Sequence, residues 1–263
     1  EYVFDTVSVG ATAQLLMAAT LAEGTTVLDN VALEPDITVL GQVLADCGAR
    51  IEGLGTRRIT VHGVRELRPI DTTIIPDRIE AATLLAAAAA TGGNVTIERC
   101  DSGHMAAAMH KLEEAGCDVL PGDGEVSISG PARPSAVDVT TAPFPGFPTD
   151  MQAQMMALGS VADGTSVITD SIYLDRFTHV PELLRLGAQI ELKGNTAVIK
   201  GVERLQGAPV MATDIRASAA LVIAGMIAEG ETRISRIYHL DRGYEQLEQK
   251  LARLGASIER VKE

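Results

Sequence analysis

TDMQAQMMALGSVADGTSV, residues 149–167, carries a helix start, an apolar run and a stop, in that order. Met151, Met155, Leu158 and Ala162 recur at helical spacing, Gly164 ends the run, and TSV opens a strand-like segment. The same succession appears in SVGATAQLLMAATLAEGTT (8–26), DRIEAATLLAAAAATGGNV (77–95) and TDIRASAALVIAGMIAEGETR (213–233). The stops at Gly24, Gly93, Gly164 and Gly230 are 69, 71 and 66 residues apart, which marks a long internal repeat. A strand-like segment follows each stop (TTVLDNV, NVTIERC, TSVITDS, ETRISRI), and then a second helix ends at Gly48, Gly116, Gly187 and Gly255. Glycine suits these ends because it alone enters the left-handed conformation without a Cβ penalty.

Working outward, the first three units add a hairpin, in ARIEGLGTRRITVHG, CDVLPGDGEVSISG and AQIELKGNTAVIKG. The repeat is therefore β-α-β-α-β-β, and the expected fold class is α/β (α+β). The fourth unit breaks off at ASIERVKE without its closing strand, and an open edge needs a cover. The joins at 64–76, 129–143 and 205–213 read as strand-like and turn-rich. A boundary near Arg68 to Asp71 assigns one repeat to residues 1–70 and three to residues 71–263.

The bulk composition excludes several classes. A formal net charge of -13, no tryptophan and 3% aromatic residues argue against a nucleic-acid surface, which needs a basic face and stacking rings. No apolar run is long enough to span a membrane, and EYVFDTVSVG lacks the basic start and apolar core of a signal peptide, so a cytoplasmic, soluble protein is expected. Cys47, Cys100 and Cys117 have no metal-type spacing and read as small buried thiols. An anionic small substrate remains open, held by a few placed arginines.

Candidate chemistry centres on TAPFPGFPTDMQAQMM, residues 141–156. Pro143, Pro145, Gly146 and Pro148 forbid regular structure up to Thr149, so a stiff loop delivers Asp150 to a helix start. There Asp150 could accept a proton from a hydroxyl, or Thr149 and Asp150 could simply cap the helix. Ser8, Val9 and Gly10 replace an acid at the first helix start, where a diphosphate or a plain Ser cap would fit equally. Asp214 and Arg216 lie in the first turn of the fourth unit's helix, and Leu-Asp-Arg recurs at 174–176 and 240–242. Arg176 and Arg242 could pair with their neighbours Asp175 and Asp241, or face one another and clamp an anion. No Walker loop, dinucleotide fingerprint or metal-ligand cluster is present in the sequence.

FPTDMQAQ, the two Leu-Asp-Arg triplets, MATDIRASAALVIAGMIAEG and IYHLDRGYEQLEQKLARLGA resemble the bacterial UDP-N-acetylglucosamine 1-carboxyvinyltransferases, a family of enolpyruvyl transferases, from residue 5 to the end. The resemblance implies inside-out α/β barrel domains, helices inside and sheets outside, with the active site between two domains of three units each. It implies transfer of the enolpyruvyl group of phosphoenolpyruvate to the 3-hydroxyl of UDP-N-acetylglucosamine by addition and elimination, with no metal or organic cofactor. Carried over by position, Asp150 is the base beside the sugar hydroxyl. Arg176, Arg216 and Arg242 hold the anionic groups or draw the domains together, Arg242 counting with Asp150 as catalytic, and Thr149 and Asp214 join them in binding substrate. Thr6, Val7, Ser8 and Val9 touch the diphosphate end, and Ile172 and Tyr173 line the sugar pocket.

Two departures qualify the resemblance. The family usually has Lys where this chain has Thr6, which weakens a direct charge contact there. The sequence also begins inside the family's first domain. It is expected to lack an N-terminal strand, about two units, a phosphate-binding Lys-Asn and the loop bearing the general acid. The chain alone is therefore expected to turn over poorly, with the N-terminal segment of the same protein as its missing partner. The competing readings are a non-catalytic UDP-sugar-binding module, a purely structural piece and the sister reaction on shikimate 3-phosphate.

Overall fold

The computed structural model describes residues 1–261, and its contacts divide the chain into two compact units: Glu1–Pro76 together with Pro143–Gly146, and the remainder. The first unit holds one repeat: β1 (Tyr2–Val3), α1 (Val9–Thr20), β2 (Thr25–Asp29), α2 (Pro35–Asp46), β3 (Arg50–Glu52) and β4 (Arg58–His62). Its sheet has the order β1-β2-β4-β3, with β1 parallel to β2 and the other pairs antiparallel. Phe4, Leu16, Leu28, Val31, Ile37, Ile59 and Val61 form its own core.

The second unit holds three repeats. The first comprises α3 (Arg78–Thr91), β5 (Asn94–Glu98), α4 (Ala106–Glu114), β6 (Asp118–Pro121) and β7 (Glu125–Ser129). Next come β8 (Val139–Thr140), α5 (Gln152–Gly159), β9 (Thr165–Thr169), α6 (Val180–Arg185), β10 (Gln189–Lys193) and β11 (Thr196–Lys200). The last has β12 (Leu205–Gln206), β13 (Pro209–Met211), α7 (Ile215–Ile227), β14 (Ala228–Glu229), β15 (Arg233–Ser235) and α8 (Leu247–Arg253). The sheet order β10-β11-β9-β8 repeats that of the first unit, whereas β5-β7-β6 lacks the parallel leading strand. No strand forms between residues 63 and 77, contrary to the strand-like reading of that join. Pro69 and Pro76 cannot donate to a ladder there. In the fourth repeat, β13 and β15 pair without a hairpin beside them among the described residues.

Strands β7, β9 and β11 alternate, turning Val126 and Ile128, Ser166 and Ile168, and Ala197 and Ile199 inward. Helices α3, α5 and α7 pack on one another behind these faces, and every residue of α5 is buried. A helix enclosed on all sides is expected to be apolar all round, and α5 departs from this at its first turn, where Gln152 and Gln154 are fully buried. The alanine run of α3, with Ala82, Ala86 and Ala89 fully buried, lets neighbouring axes approach closely. Within this unit the helices are inside and the sheets outside, as the α/β (α+β) reading expects.

The glycine stops need correction. Helices α1, α5 and α7 end at Thr20, Gly159 and Ile227, several residues before Gly24, Gly164 and Gly230, whose positive φ values of 87°, 112° and 90° turn the chain into the next strand. At the end of α3 the left-handed residue is Gly92, not Gly93.

Candidate active site

Asp150 does not cap a helix. It sits in a 3-10 turn, Thr149–Met151, and α5 begins only at Gln152, two residues later than the expected start. The caps of the repeat fall at Ser8, Asp77, Pro148 and Asp214, which keep the 69, 71 and 66 residue spacing of the glycines. Ser8 accepts from the Ala11 N–H, Asp77 from Ile79 and Glu80, and Asp214 from Arg216 and Ala217. Pro148 has no side-chain acceptor, so in the third repeat the cap is absent and the carboxylate two residues on is left for other work.

That carboxylate lies between two guanidiniums. Arg176 Nη1 donates to Asp150 Oδ1 at 2.6 Å, and Arg216 Nη2 donates to Oδ2 at 2.9 Å. Arg176 reaches in from the loop before α6 rather than pairing with Asp175. Arg216 comes from the first turn of α7, at the position equivalent to Asp150 itself. Burial pushes the Asp150 carboxyl up, but the charges and hydrogen bonds of Arg216 and Arg176 outweigh it, and the group stands below the usual carboxylate range. Burial likewise disfavours the Arg216 cation, and Asp150 and Tyr244 more than restore it.

Beneath Arg216 lies a polar network built from all three repeats of the second unit. Arg216 Nη1 donates to Tyr244 OH at 3.2 Å, and its guanidinium carbon lies 5.6 Å from the centroid of the Tyr244 ring. The Tyr244 hydroxyl shares a hydrogen bond with Thr83 Oγ1 of α3, and Gln154 of α5 donates to Thr83 at 3.0 Å. All three side chains are buried. On the other side, Arg176 Nη1 also donates to Thr149 Oγ1 at 3.2 Å, and Thr149 donates to the buried carboxylate of Asp170 at 2.6 Å.

The remaining predicted residues are placed as follows. Arg242 ends the 3-10 turn Ile237–Arg242 and is exposed. Its neighbour Asp241 is engaged by Arg260 at 2.6 and 3.0 Å, and Arg242 has no ion-pair partner among the described residues. The pair that meets is thus Arg176 with Arg216, not Arg176 with Arg242. Ile172 and Tyr173 are 45% and 61% exposed on the loop that carries Arg176, an unusual display for apolar side chains. Asp214 is committed to its cap and accepts from Thr178 through Oδ2 at 3.3 Å. In the first unit Thr6 and Val9 are exposed, Val7 packs on that unit's core, and Ser8 caps α1. A side chain at Gly10 would meet nothing within 4 Å, so the first turn of α1 is open.

The cysteines carry no comparable chemistry. Cys100 and Cys117 are buried free thiols, and burial pushes Cys117 up to about 11, leaving almost no thiolate near neutrality. Among the described residues no group of three His, Cys, Asp or Glu side chains is disposed to hold a metal ion, and no helix is long and apolar enough to cross a membrane.

A family profile described as EPSP synthase (3-phosphoshikimate 1-carboxyvinyltransferase) matches residues 1–251. The chain belongs to this family of enolpyruvyl transferases. It is 55% identical over 260 residues to UDP-N-acetylglucosamine 1-carboxyvinyltransferase of Geobacter metallireducens (strain ATCC 53774 / DSM 7210 / GS-15), covering 99% of this chain and 62% of the relative. It is 56% identical over 259 residues to the protein of the same name from Myxococcus xanthus (strain DK1622), covering 98% of this chain and again 62% of the relative. The chain therefore spans less than two thirds of the length of these relatives. Among solved structures, the enolpyruvyl transferase NikO from Streptomyces tendae superposes with a TM-score of 0.86 at 31% identity, over 95% of this chain and 60% of that one. EPSP synthase from Acinetobacter baumannii matches with a TM-score of 0.76 at 18% identity, over all of this chain and 63% of that one, which is a likeness of fold.

Within this family member, sequence reasoning had singled out Asp150, Arg176 and Arg216, and these three meet. It had passed over Tyr244, Thr83, Gln154 and Asp170. Tyr244 follows Arg242 by two residues in the quoted YHLDRGYE, but nothing in that spacing reports that its ring is enclosed. Asp170 closes TSVITDS, where an acid ahead of a loop reads as an ordinary turn former.

Proposed function

We propose that a polypeptide of the relatives' length carrying this chain transfers the enolpyruvyl group of phosphoenolpyruvate to the 3-hydroxyl of UDP-N-acetylglucosamine, releasing phosphate. The carrying observation is the uncapped Asp150 held between Arg176 and Arg216. The relatives at 55% and 56% identity bear the UDP-N-acetylglucosamine name, whereas the solved structure named EPSP synthase is 18% identical. That contrast favours the sugar nucleotide over shikimate 3-phosphate as acceptor.

The chemistry follows from the charge balance. Without substrate, the two guanidiniums are satisfied by Asp150, which is then a weak base. An incoming phosphate or carboxylate offers Arg176 and Arg216 a stronger, bidentate partner. As the arginines turn to it, burial is left to raise the proton affinity of Asp150, and the base becomes competent once phosphoenolpyruvate has arrived. The sugar O–H bond then breaks toward Asp150 while its oxygen bonds to the ester carbon of phosphoenolpyruvate, and the methylene carbon takes up a proton from the general acid expected in the part of the polypeptide outside this chain. In the elimination one methyl proton returns to that group, the C–O bond to phosphate breaks as the double bond re-forms, and the departing phosphate takes the proton held on Asp150, which restores the carboxylate. Arg242, which has no ion-pair partner among the described residues, is a further anion holder in this scheme. In the second unit Ile172 and Tyr173 offer apolar cover to a sugar; in the first unit, taken by itself, the open first turn of α1 at Ser8 and Val9 suits a diphosphate.

The test is phosphate release by the full-length polypeptide from phosphoenolpyruvate with each acceptor. Turnover with UDP-N-acetylglucosamine, and a loss of about 10²- to 10⁴-fold in Asp150→Asn, is expected. Turnover with shikimate 3-phosphate alone, or tight binding of UDP-N-acetylglucosamine with no product, would assign the site to the sister reaction or to a binding module.

A further inference from the structure

Asp170 breaks a pattern that the other repeats keep. The residue that follows the strand after each first helix is Asn30, Arg99, Asp170 or Arg236, with the same 69, 71 and 66 spacing. Asn30, Arg99 and Arg236 are all left-handed, with φ of 58°, 55° and 57°. Asp170 is not among the left-handed residues, and its side chain is fully buried. The departure falls in the one repeat that also lost its helix cap and gained Asp150.

Four donors converge on this carboxylate. Oδ1 accepts from Thr141 Oγ1 at 2.8 Å and from the N–H groups of Ile172 and Tyr173 at 3.0 and 2.9 Å, and Oδ2 accepts from Thr149 Oγ1 at 2.6 Å. The backbone of Asp170 is tied down as well, since its N–H donates to Asn195 O and its carbonyl accepts from Asn195 Nδ2, both at 2.9 Å. The direction of the Thr149 bond is fixed by its other partner. A guanidinium can only donate, so Thr149 accepts from Arg176 and its own proton must go to Asp170.

We propose that Asp170 is a positioning residue for the reaction proposed above, and so rests on that reading. By orienting the Thr149 hydroxyl as an acceptor, and by holding the backbone of Ile172 and Tyr173, it fixes the loop of Arg176 so that this guanidinium meets Asp150. An aspartate suits the place because both of its oxygens accept. In Asp170→Asn the amide nitrogen would face Thr149 and donate to it, turning the threonine proton away.

The experiment uses the full-length polypeptide with Thr149→Ser, Thr149→Val, Asp170→Asn and the double variant Asp170→Asn/Thr149→Val. Thr149→Ser keeps the hydroxyl and serves as the rescue control: it is expected to retain Arg176 on Asp150 and to stay well above Thr149→Val in kcat/KM. Thr149→Val and Asp170→Asn are each expected to lower kcat/KM for phosphoenolpyruvate about 10- to 100-fold, the size of a misplaced binding group. The double variant is expected to be no worse than the poorer single one, because both changes cut the same relay. Crystal structures of Thr149→Val and Asp170→Asn give a readout independent of turnover: Arg176 should leave Asp150. Full additivity, unaltered kinetics in Thr149→Val, or an Arg176–Asp150 pair still at 2.6 Å in both variants would overturn the proposal. Failure of the transfer reading is distinguishable, because the unaltered protein would then yield no product while the crystallographic comparison still decides the relay.

Discussion

Thr83 and Tyr244, 161 residues apart in the chain, share a buried hydrogen bond of 3.0 Å directly beneath the Arg216 guanidinium. The bond joins the first and last repeats of the second unit at the point where Gln154 of the middle repeat also arrives. Removing the hydroxyl in Tyr244→Phe keeps the ring under Arg216 but deprives Arg216 Nη1, Thr83 and Gln154 of a shared partner. Unfolding in denaturant should show a loss of about 1–3 kcal/mol with an unchanged slope. KM for phosphoenolpyruvate should rise, because Arg216 loses its lower anchor. A variant as stable as the parent, with the same KM, would show that the network neither stabilises the unit nor holds the arginine.

Asp150 ties stability to acid pH in a defined direction. Its folded carboxyl lies below the ordinary value, so its contribution is fully present above the unfolded pKa of 3.8 and is lost as pH falls through the folded value. Asp150→Asn leaves two partly buried guanidiniums without their counter-charge and should cost about 1–3 kcal/mol at pH 7. The difference between parent and variant should shrink below about pH 4 as the parent's carboxylate is protonated. Parallel denaturation series at neutral pH and at pH 3 measure it. A gap of equal size at both would mean that the charge pairing contributes nothing and only packing was lost.

His179 titrates in a separate window. It is buried beside α5 with Nε2 3.2 Å from Met156 Sδ, and burial drives its pKa down to about 4. Asp214 pulls it up and Arg176 pushes it further down, so the ring is neutral in the folded protein near neutrality. The folded pKa is depressed below the unfolded 6.5, so stability is fully present above that value and falls as the unfolded chain takes up the proton on acidification toward pH 4. About 3 kcal/mol should be lost across this interval. His179→Gln should flatten that part of the profile, and a profile of unchanged slope would place the acid sensitivity elsewhere.

The parts of the fold that recur were readable from sequence, and the parts that occur once were not. Four spaced glycines reveal the repeat because each copy needs a turn at the same place, although the helices stop short of three of them and Gly92 takes the turn beside Gly93. The same spacing counted from Ser8 and Asp77 lands on Pro148, so the missing cap that frees Asp150 was present in the sequence as an irregularity. The Arg176–Arg216 clamp was half legible: both arginines stand out, but which two meet depends on helix packing, and the recurring triplets pointed to Arg242 instead. Tyr244 and Asp170 were hidden because their partners are set by tertiary packing. A buried tyrosine in a polar sequence and a turn aspartate look alike whether or not they reach a functional arginine.

The hairpins quoted from the sequence all end in glycine, and the third of these, Gly201, should tolerate no side chain. A Cβ there would lie 1.8 Å from Ala162 O and 3.0 Å from Ala162 N, against backbone that cannot rotate away. Gly63 and Gly130 make the equivalent approaches, to Ala22 O at 1.6 Å and Ala88 O at 2.6 Å, so the closure of each hairpin onto a helix end depends on a missing methyl group. The contact is fixed by hydrogen bonds on both sides, from Gly201 N to Gly164 O at 3.0 Å and from Val202 N to Ser160 O at 2.8 Å. Gly201→Ala must therefore separate the strand from the helix end or break these bonds, and should cost about 3 kcal/mol or more. Gly194 supplies the control: its φ of 60° is left-handed, but a Cβ would meet nothing within 4 Å, so Gly194→Ala should cost only about 1–2 kcal/mol. Chemical denaturation of the two variants side by side decides the matter, and a loss at Gly201 no larger than that at Gly194 would mean that the strand and the helix end part cheaply and the close approach sets no requirement.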